Sequence, residues 1–187
     1  MRILSSICVL TGLIPVCVAQ QPQAIRKSPE LAYSIPGQAQ KLLSQYRGKV
    51  VALEFILTTC PHCQAASKVM NEMQEKYGSR GFQALDVAID PNADLLVENF
   101  AKDYHVNFPV GWTTLEQMMA YMGFTDRPVV PQLTLIDRHG NIHYQTPRTG
   151  DSESMKPEVI RQRIEELLGS GKSSITARAR PVRRSGM

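Results

Sequence analysis

Cys60 and Cys63, in the sequence Cys-Pro-His-Cys, are the residues of this chain best suited to do chemistry. Two thiols at this spacing can close into a small disulfide and reopen by thiol–disulfide exchange. An apolar run precedes them and an amphipathic helical pattern follows, so we expect Cys60 at a helix N-terminus. The unpaired N–H groups and the positive end of the helix dipole stabilise a thiolate there. The sequence therefore predicts a lowered pKa for Cys60 and a nucleophile at neutral pH.

The other two cysteines, Cys8 and Cys17, lie in an N-terminal segment with one early arginine and a long apolar run. This pattern is typical of a secretory signal peptide, and the sequence up to Ala19 provides a cleavage point. We interpret residues 1–19 as a signal peptide and expect export to an oxidising compartment, where a Cys-x-x-Cys pair can cycle. An uncleaved membrane anchor and lipidation at Cys17 are the alternatives, which the mass of the mature protein distinguishes.

Metal binding is disfavoured by the number and spacing of ligating residues. Structural zinc needs four ligands, and beyond the cysteine pair the mature chain has four histidines without a second paired motif: His62, His105, His139 and His143. Three methionines at helical spacing are interpreted as core residues rather than copper ligands: Met118, Met119 and Met122. A non-catalytic copper chaperone that uses the two cysteines as soft thiolate ligands stays as an alternative function.

Length and composition predict one globular domain, residues 35–168, between an N-terminal extension, residues 20–34, and a polar tail, residues 169–187. The tail has five basic residues and no acid, so we expect it to be disordered. The chain carries a net charge of +4, but without Arg2 and the tail the remainder is about −2. Nucleic-acid binding is therefore not indicated, and the tail is either solvated or in weak contact with an anionic membrane surface or an acidic partner.

Alternating strand and helix patterns predict an α/β domain. The runs “VVALEFIL” and “FQALDVAID” are typical of buried strands, and a second helix is expected after Pro91. Between the strands, one helical face is expected to carry Cys63, Ala66, Val69, Met70, Met73 and Tyr77.

The second half of the domain is predicted to hold two more helices around a β-hairpin. Thr113 and Glu116 form a capping-box pattern for a short helix that ends near Gly123. The hairpin joins “QLTLID” to “IHYQ” through the turn “RHGN”. The last helix is predicted over residues 157–168.

Glu54 is the one charged residue in the first apolar strand. Burial of an unpaired carboxylate costs several kcal/mol, so we expect Glu54 to be partly protonated, with a raised pKa that suits proton transfer. The alternative is a carboxylate that points outward at the end of the strand.

The order of these elements, with Cys-x-x-Cys at a strand–helix junction and “VVPQLTLIDRHGNIHY” later, resembles the thioredoxin-like superfamily and especially its exported TlpA-type branch. The resemblance covers residues 35–168 and implies a thioredoxin-like α/β fold, a central mixed sheet flanked by helices. The 68 positions from Cys63 to Pro131 fit a TlpA-like βα insertion. The site differs from that branch, because Thr59 stands where its members usually have tryptophan. Cys-Pro-His-Cys with Glu54 resembles the DsbA active site instead.

The resemblance implies roles for the residues of the site. Cys60 would be the exposed nucleophile, Cys63 the resolving thiol, and Glu54 the group that exchanges a proton with Cys63. By the same resemblance, the Val130–Pro131 peptide bond would be cis, and the backbone of Val130 would bind an extended substrate segment.

The two residues between the cysteines are expected to tune the site. Pro61 suits the first turn of a helix, where its missing N–H is not needed. His62 is expected to favour the reduced form if its imidazole stabilises the Cys60 thiolate. The alternative for His62 is an exposed side chain without effect.

These residues predict an exported enzyme, a protein thiol–disulfide oxidoreductase with oxidation or isomerisation favoured. The alternative on the same fold is a reductant for cytochrome c maturation. The redox-active disulfide would be its only redox group, with protein thiols or disulfides as substrates and a membrane redox partner to recharge it. Peroxide reduction is disfavoured, because Leu53 and Leu57 stand where peroxiredoxins have proline and threonine.

Overall fold

The computed structural model describes residues 24–170. The predicted signal peptide and most of the predicted tail, residues 171–187, lie outside the described residues. The eight strands described are β1 Arg26–Lys27, β2 Ala32–Tyr33, β3 Lys41–Leu42, β4 Val50–Ile56, β5 Phe82–Ala88, β6 Val110–Trp112, β7 Gln132–Ile136 and β8 Asn141–Gln145. The four α-helices described are α1 Pro61–Tyr77, α2 Ala93–Asp103, α3 Leu115–Met122 and α4 Pro157–Ser170.

Six of these strands form one mixed sheet in the order β1-β8-β7-β4-β5-β6. β4, β5 and β6 run parallel, while β7 is antiparallel to β4, and β8 is antiparallel to β7. β2 and β3 form a separate antiparallel pair. The predicted fold class, an α/β fold with a central mixed sheet flanked by helices, is confirmed. The unit formed by α2 and β6 lies within the long segment between the cysteines and Pro131, and it extends the sheet beyond β5.

The central strands are buried on both faces because helices cover both sides of the sheet. Every residue of β4 and β5 is buried, as is typical of parallel strands inside an α/β fold. One face packs against α1, α2 and α4, and the other packs against α3 and the N-terminal segment. Side chains alternate between the faces along each strand, so Glu54 and Ile56 lie on the same face, next to α1.

The capping box of α3 lies one residue later than predicted. Thr114, not Thr113, is the N-cap, and its hydroxyl accepts a hydrogen bond from the N–H of Gln117. Thr113 still belongs to the extended chain that leaves β6, because its N–H donates to the carbonyl of Ala88 at 3.0 Å. The helix ends as predicted, at Gly123 in the left-handed conformation.

The folded unit extends beyond the predicted domain at both ends. β1, placed by the sequence in an N-terminal extension, pairs with β8 at the edge of the main sheet. α4 continues two residues past Leu168 to Ser170. The N-terminal extension depends on pairing with a distant strand, which a local pattern does not contain.

Candidate active site

Cys60 is the N-cap of α1, as the sequence predicts, with an extended backbone at φ −81° and ψ 119°. Its carbonyl accepts the N–H of Gln64 at 3.0 Å, and Pro61 opens the helix. No side chain caps the first turn, so the N–H groups there are available to a negative charge at Cys60. Cys60 is half-buried, Cys63 is fully buried, and both are free thiols. One thiol thus faces a partner while the other is shielded one turn inside the helix.

The turn before the cysteines is held by Asp90, which follows β5. The carboxylate of Asp90 accepts hydrogen bonds from the N–H of Thr58 at 3.0 and 3.1 Å and from its hydroxyl at 3.0 Å. The amide of Gln64 in α1 donates to the carbonyl of Thr58 at 3.0 Å. These bonds tie the end of β4 to both neighbouring elements, so the position of Cys60 is fixed by three parts of the chain.

The Val130–Pro131 peptide bond is cis, the isomer that the resemblance implies. Val130 packs against the same apolar cluster as Cys60 and Cys63, so the structure brings these predicted site residues together. Among the described residues, nothing hydrogen-bonds to the backbone N–H or C=O of Val130. These two groups are therefore available to an extended peptide beside Cys60.

Trp112, the only tryptophan of the chain, is part of the same region. It ends β6 and lies in register with Ala88 of β5, which is itself in register with Ile56 of β4. This rung forms the carboxyl edge of the three parallel strands, and the half-buried indole packs against the cluster that includes Cys60. Sequence reasoning missed Trp112 because a three-residue strand has no readable periodicity.

Glu54 is completely buried, so the outward-pointing alternative is wrong. In the parallel register it lies beside Asp86 of β5, which is also completely buried. Burial raises the pKa of Glu54 well above its usual range, and the neighbouring Asp86 raises it further. Burial also raises the pKa of Asp86, to about 7, although the hydrogen bond from Ser67 and the neighbouring Glu54 oppose this increase. Two carboxyl groups that share a site in this way titrate as a pair.

Ser67 links this acid pair to the helix of the cysteines. Its hydroxyl lies 2.6 Å from Oδ2 of Asp86 and 3.1 Å from the carbonyl oxygen of Cys63. Ser67 is fully buried whereas Ala66, predicted to face inward, is only half-buried. Burial raises the pKa of the Cys63 thiol, and the neighbouring Cys60 adds to this increase. Cys63 is therefore held as a thiol above a buried acid pair.

The remaining candidates lie apart from this cluster. His62 is exposed in the first turn of α1. His143 lies 2.9 Å from Asp137, in the β7–β8 hairpin. Met118 and Met122 are buried in the core on the opposite face of the sheet. In the part of the chain that the structure describes, no group of three or more histidine, cysteine or acidic residues could hold a metal ion.

The fold and the site together define a thioredoxin-like protein with a Cys-x-x-Cys dithiol. Residues 27–145 match the AhpC/TSA family, and the chain belongs to this family.

Two relatives carry the name thiol-disulfide oxidoreductase ResA. The protein of Bacillus thuringiensis subsp. konkukian is 29% identical over 126 residues, which are 67% of this chain and 65% of the relative. The protein of Geobacillus thermodenitrificans is 30% identical over 125 residues, which are 67% of each chain. This chain therefore spans about two thirds of the length of the relatives that it matches.

Two solved structures from Chlorobium tepidum are similar to this chain. One, described as a candidate thiol:disulfide interchange protein DsbE, has a TM-score of 0.64 and 28% identity, covering 77% of this chain and 96% of its own. The other, a thioredoxin family protein, has a TM-score of 0.62 and 21% identity, covering 81% and 99%, and shows the shared fold. Within residues 24–170, no helix is both long and apolar enough to cross a membrane.

The acid pair predicts a pH dependence of stability. Because folding raises the pKa of Asp86 from 3.8 to about 7, its contribution to stability is full below pH 3.8 and is lost as the pH rises through 7. Asp86→Asn removes this ionisation. We therefore expect the unfolding free energy of the variant, relative to wild type, to rise by on the order of 1–3 kcal/mol between about pH 5 and about pH 8. Urea unfolding at both pH values measures the difference.

Asp151→Asn is the control with the opposite sign. Hydrogen bonds from Ser154 lower the pKa of Asp151, although burial opposes this effect. The contribution of Asp151 to stability is lost only at acid pH, as the carboxylate becomes protonated, so this variant should be destabilised equally at about pH 5 and about pH 8. An Asp86→Asn variant whose stability changes with pH in parallel with wild type would contradict the raised pKa.

Proposed function

We propose that this protein is an exported thiol–disulfide oxidoreductase that exchanges disulfides with proteins through Cys60 and Cys63. The observation that carries the proposal is the asymmetry of the two thiols, since Cys60 is half-buried at a helix N-terminus and Cys63 is fully buried behind it. The likeness to relatives named thiol-disulfide oxidoreductase supports the same activity. Apart from the cysteine pair, the proposed reaction needs no redox cofactor.

The reaction begins, in the oxidising direction, from the Cys60–Cys63 disulfide. A substrate thiolate attacks Sγ of Cys60, a mixed disulfide forms, and the electron pair of the broken bond leaves on Sγ of Cys63. A second substrate thiolate then attacks the substrate sulfur of the mixed disulfide and releases Cys60 as a thiolate. The substrate loses two electrons and gains a disulfide, while the enzyme ends as a dithiol. The reducing direction is the reverse of these steps.

Cys63 needs a proton when its sulfur leaves and must lose that proton when it attacks. Because burial favours its thiol form, a bare Cys63 thiolate is costly in either direction. Glu54 lies beside Asp86 on the α1 face of the sheet, and Ser67 links Asp86 to the carbonyl of Cys63. We assign Glu54 the exchange of this proton, the role that the resemblance to the DsbA site implies.

Two features would bind the substrate. The backbone groups of Val130, unpaired among the described residues, can bond to an extended segment in the manner of an added strand, with little demand on its sequence. The half-buried indole of Trp112, which packs against the same buried cluster as Cys60, offers a flat apolar surface that the side chain of Thr59 lacks. Substrates would be unfolded or extended protein segments with an accessible cysteine.

The favoured direction is oxidation or isomerisation, because Cys-Pro-His-Cys over a buried glutamate resembles the DsbA site. His62 is exposed and next to Cys60, where an imidazolium can stabilise a thiolate and so favour the reduced form of the enzyme. The second candidate is a reductant, including one for cytochrome c maturation, which the TlpA-type frame favours. In both cases a membrane redox partner would recharge the site.

The reduction potential of the Cys60–Cys63 pair distinguishes the two directions. For an oxidant stabilised in its reduced form we expect a value near the roughly −120 mV of DsbA, measured by equilibration with glutathione. His62→Ala should then shift the potential toward reducing values, whereas His105→Ala, an exposed histidine elsewhere, should leave it unchanged. A wild-type value near the roughly −270 mV of thioredoxin would instead support the reductant.

The roles of the two cysteines predict different losses. Cys60→Ser removes the attacking sulfur, so insulin reduction and the oxidation of reduced ribonuclease should both fall to the uncatalysed rate. Cys63→Ala keeps the first attack but cannot resolve it, so mixed disulfides with substrates should accumulate and be identifiable by mass spectrometry. Equal accumulation in the Cys60→Ser variant would reverse the assignment.

Trp112→Ala tests the docking surface. Removing the indole takes away most of an aromatic contact, so we expect KM for a peptide disulfide to rise by about tenfold while the rate with a small-molecule disulfide stays the same. Trp112→Phe keeps an aromatic ring and should restore most of the affinity. A uniform loss with both substrates would mean that Trp112 only supports the fold.

A further inference from the structure

Three oxygen atoms beneath Cys63 are buried without a hydrogen-bond partner among the described residues: Oε1 and Oε2 of Glu54 and Oδ1 of Asp86. Neither carboxyl group belongs to an ion pair there, so no base balances them. Buried polar atoms are rarely left without partners. The unpaired atoms lie on adjacent strands in register, facing the helix that carries Cys63.

Two buried carboxyl groups without a base cannot both be ionised at neutral pH, so this pair keeps one proton. Glu54 holds that proton more strongly, because burial and the charge of Asp86 both act on it, whereas Ser67 stabilises the charge of Asp86. In this state Glu54 is neutral and cannot simply take a second proton. The oxygen that is free to accept a proton is Oδ1 of Asp86, because Oδ2 already accepts a hydrogen bond from Ser67.

Ser67 adds a second constraint, because its hydroxyl has one hydrogen and two neighbouring acceptors. It lies 2.6 Å from Oδ2 of Asp86 and 3.1 Å from the carbonyl oxygen of Cys63. When Asp86 is ionised, Ser67 donates to Oδ2 and stabilises the carboxylate. This bond leaves Oδ1 as the oxygen that can receive a proton.

From this arrangement we infer that the proton of Cys63 ends on Asp86, with Glu54 as the relay between them and Ser67 as the group that holds Asp86 ready. The inference rests on the proposed function and extends it to two residues, Asp86 and Ser67, that act through Glu54. They are positioning residues, because neither is assigned a contact with the reacting sulfur.

The step balances without a further reactant. When Cys63 attacks a mixed disulfide, its S–H proton moves to one oxygen of Glu54, and the proton already on the other oxygen moves to Asp86. Glu54 is neutral before and after. The electron pair of Cys63 forms the Cys60–Cys63 bond, the bond between Cys60 and the substrate sulfur breaks, and the substrate leaves as a thiolate that carries the negative charge lost by Asp86. In the oxidising direction the same two protons move back, and Cys63 receives its proton as its sulfur leaves.

The surroundings of the pair contain no other titratable side chain in register with it. Leu133 of β7 pairs with Glu54, and Val110 of β6 pairs with Asp86. α2 and α4 face this side of the sheet with apolar residues: Ala93, Val97, Phe100, Ile160 and Ile164. α1 contributes Cys63 and Ser67, and the next titratable groups toward its N-terminus are exposed His62 and half-buried Cys60. A pH effect on the resolving step that depends on Asp86 is therefore attributable to the acid pair rather than to His62 or the cysteines.

The experiment follows the release of glutathione from a mixed disulfide preformed on Cys60, as a function of pH. In the wild type the release rate should rise with pH as Asp86 ionises and its acceptor position becomes vacant. Asp86→Asn removes the acceptor, and burial alone keeps Glu54 protonated. We therefore expect the variant to release glutathione about tenfold more slowly, or slower still, at neutral pH. Its release rate should no longer increase with pH over the range in which Asp86 ionises in the wild type.

Ser67→Ala provides a second measurement that does not depend on the folding of the first variant. Loss of the hydrogen bond from Ser67 favours the protonated form of Asp86. The release rate should therefore increase at higher pH than in the wild type and reach the same maximum. Ser154→Ala is the matched control, since Ser154 is also buried and bonded, to Arg163 outside the site. Asp137→Asn is the control for the loss of a carboxyl group. The pH dependence of the release rate in both control variants should be the same as in the wild type.

The outcomes separate the two proposals. Wild-type protein that releases no glutathione at any pH would overturn the proposed function and this inference with it. If the wild type releases glutathione and neither Asp86→Asn nor Ser67→Ala changes the pH dependence of the release rate, the inference alone would be overturned. A lower rate with an unmoved pH midpoint in both variants would also overturn it, because that result is what a purely structural role predicts.

Discussion

The parallel register of β4 against β5 is the constraint on which the rest of the site depends. It sets Glu54 beside Asp86, and two residues further along each strand it sets Ile56 beside Ala88 on the same face. Because side chains alternate along a strand, a shift of one residue would move every one of these side chains to the other face of the sheet. The same pairing thus decides both which acids are buried together and which edge of the sheet carries the cysteines.

That register has an energetic cost that the core must offset. Two carboxyl groups without a base lie where the neighbouring rungs are alanine, valine and leucine, and one of them must stay protonated. Apolar residues in their place would pack without this cost. The large clusters on both faces, with Phe55, Met70 and Tyr77 fully buried, supply the stability that lets the pair persist. A costly buried pair beside the resolving thiol is typical of a functional position.

Local features of the site were predictable from the sequence, and features that depend on pairing were not. Cys60 at the helix N-terminus and buried Glu54 follow from the residues around each of them. Asp86 was assigned to a buried strand, but its role depends on facing Glu54, 32 positions away, and no local pattern encodes a register. Trp112 was missed because β6 has three residues, and Ser67 because Ala66 fits the same helical face by hydrophobicity alone.

The direction of electron flow depends on what stabilises each thiol, and the two thiols are stabilised differently. Cys60 lies at the helix N-terminus, next to exposed His62, and substitutions between the cysteines can alter these surroundings without changing the core. Cys63 depends on burial and on the acid pair, which belong to the sheet. A thioredoxin-like fold can therefore keep its buried acid pair while the residues between the cysteines change the reduction potential. The tetrapeptide that resembles DsbA on a TlpA-type fold, as the sequence predicts, is physically consistent for this reason.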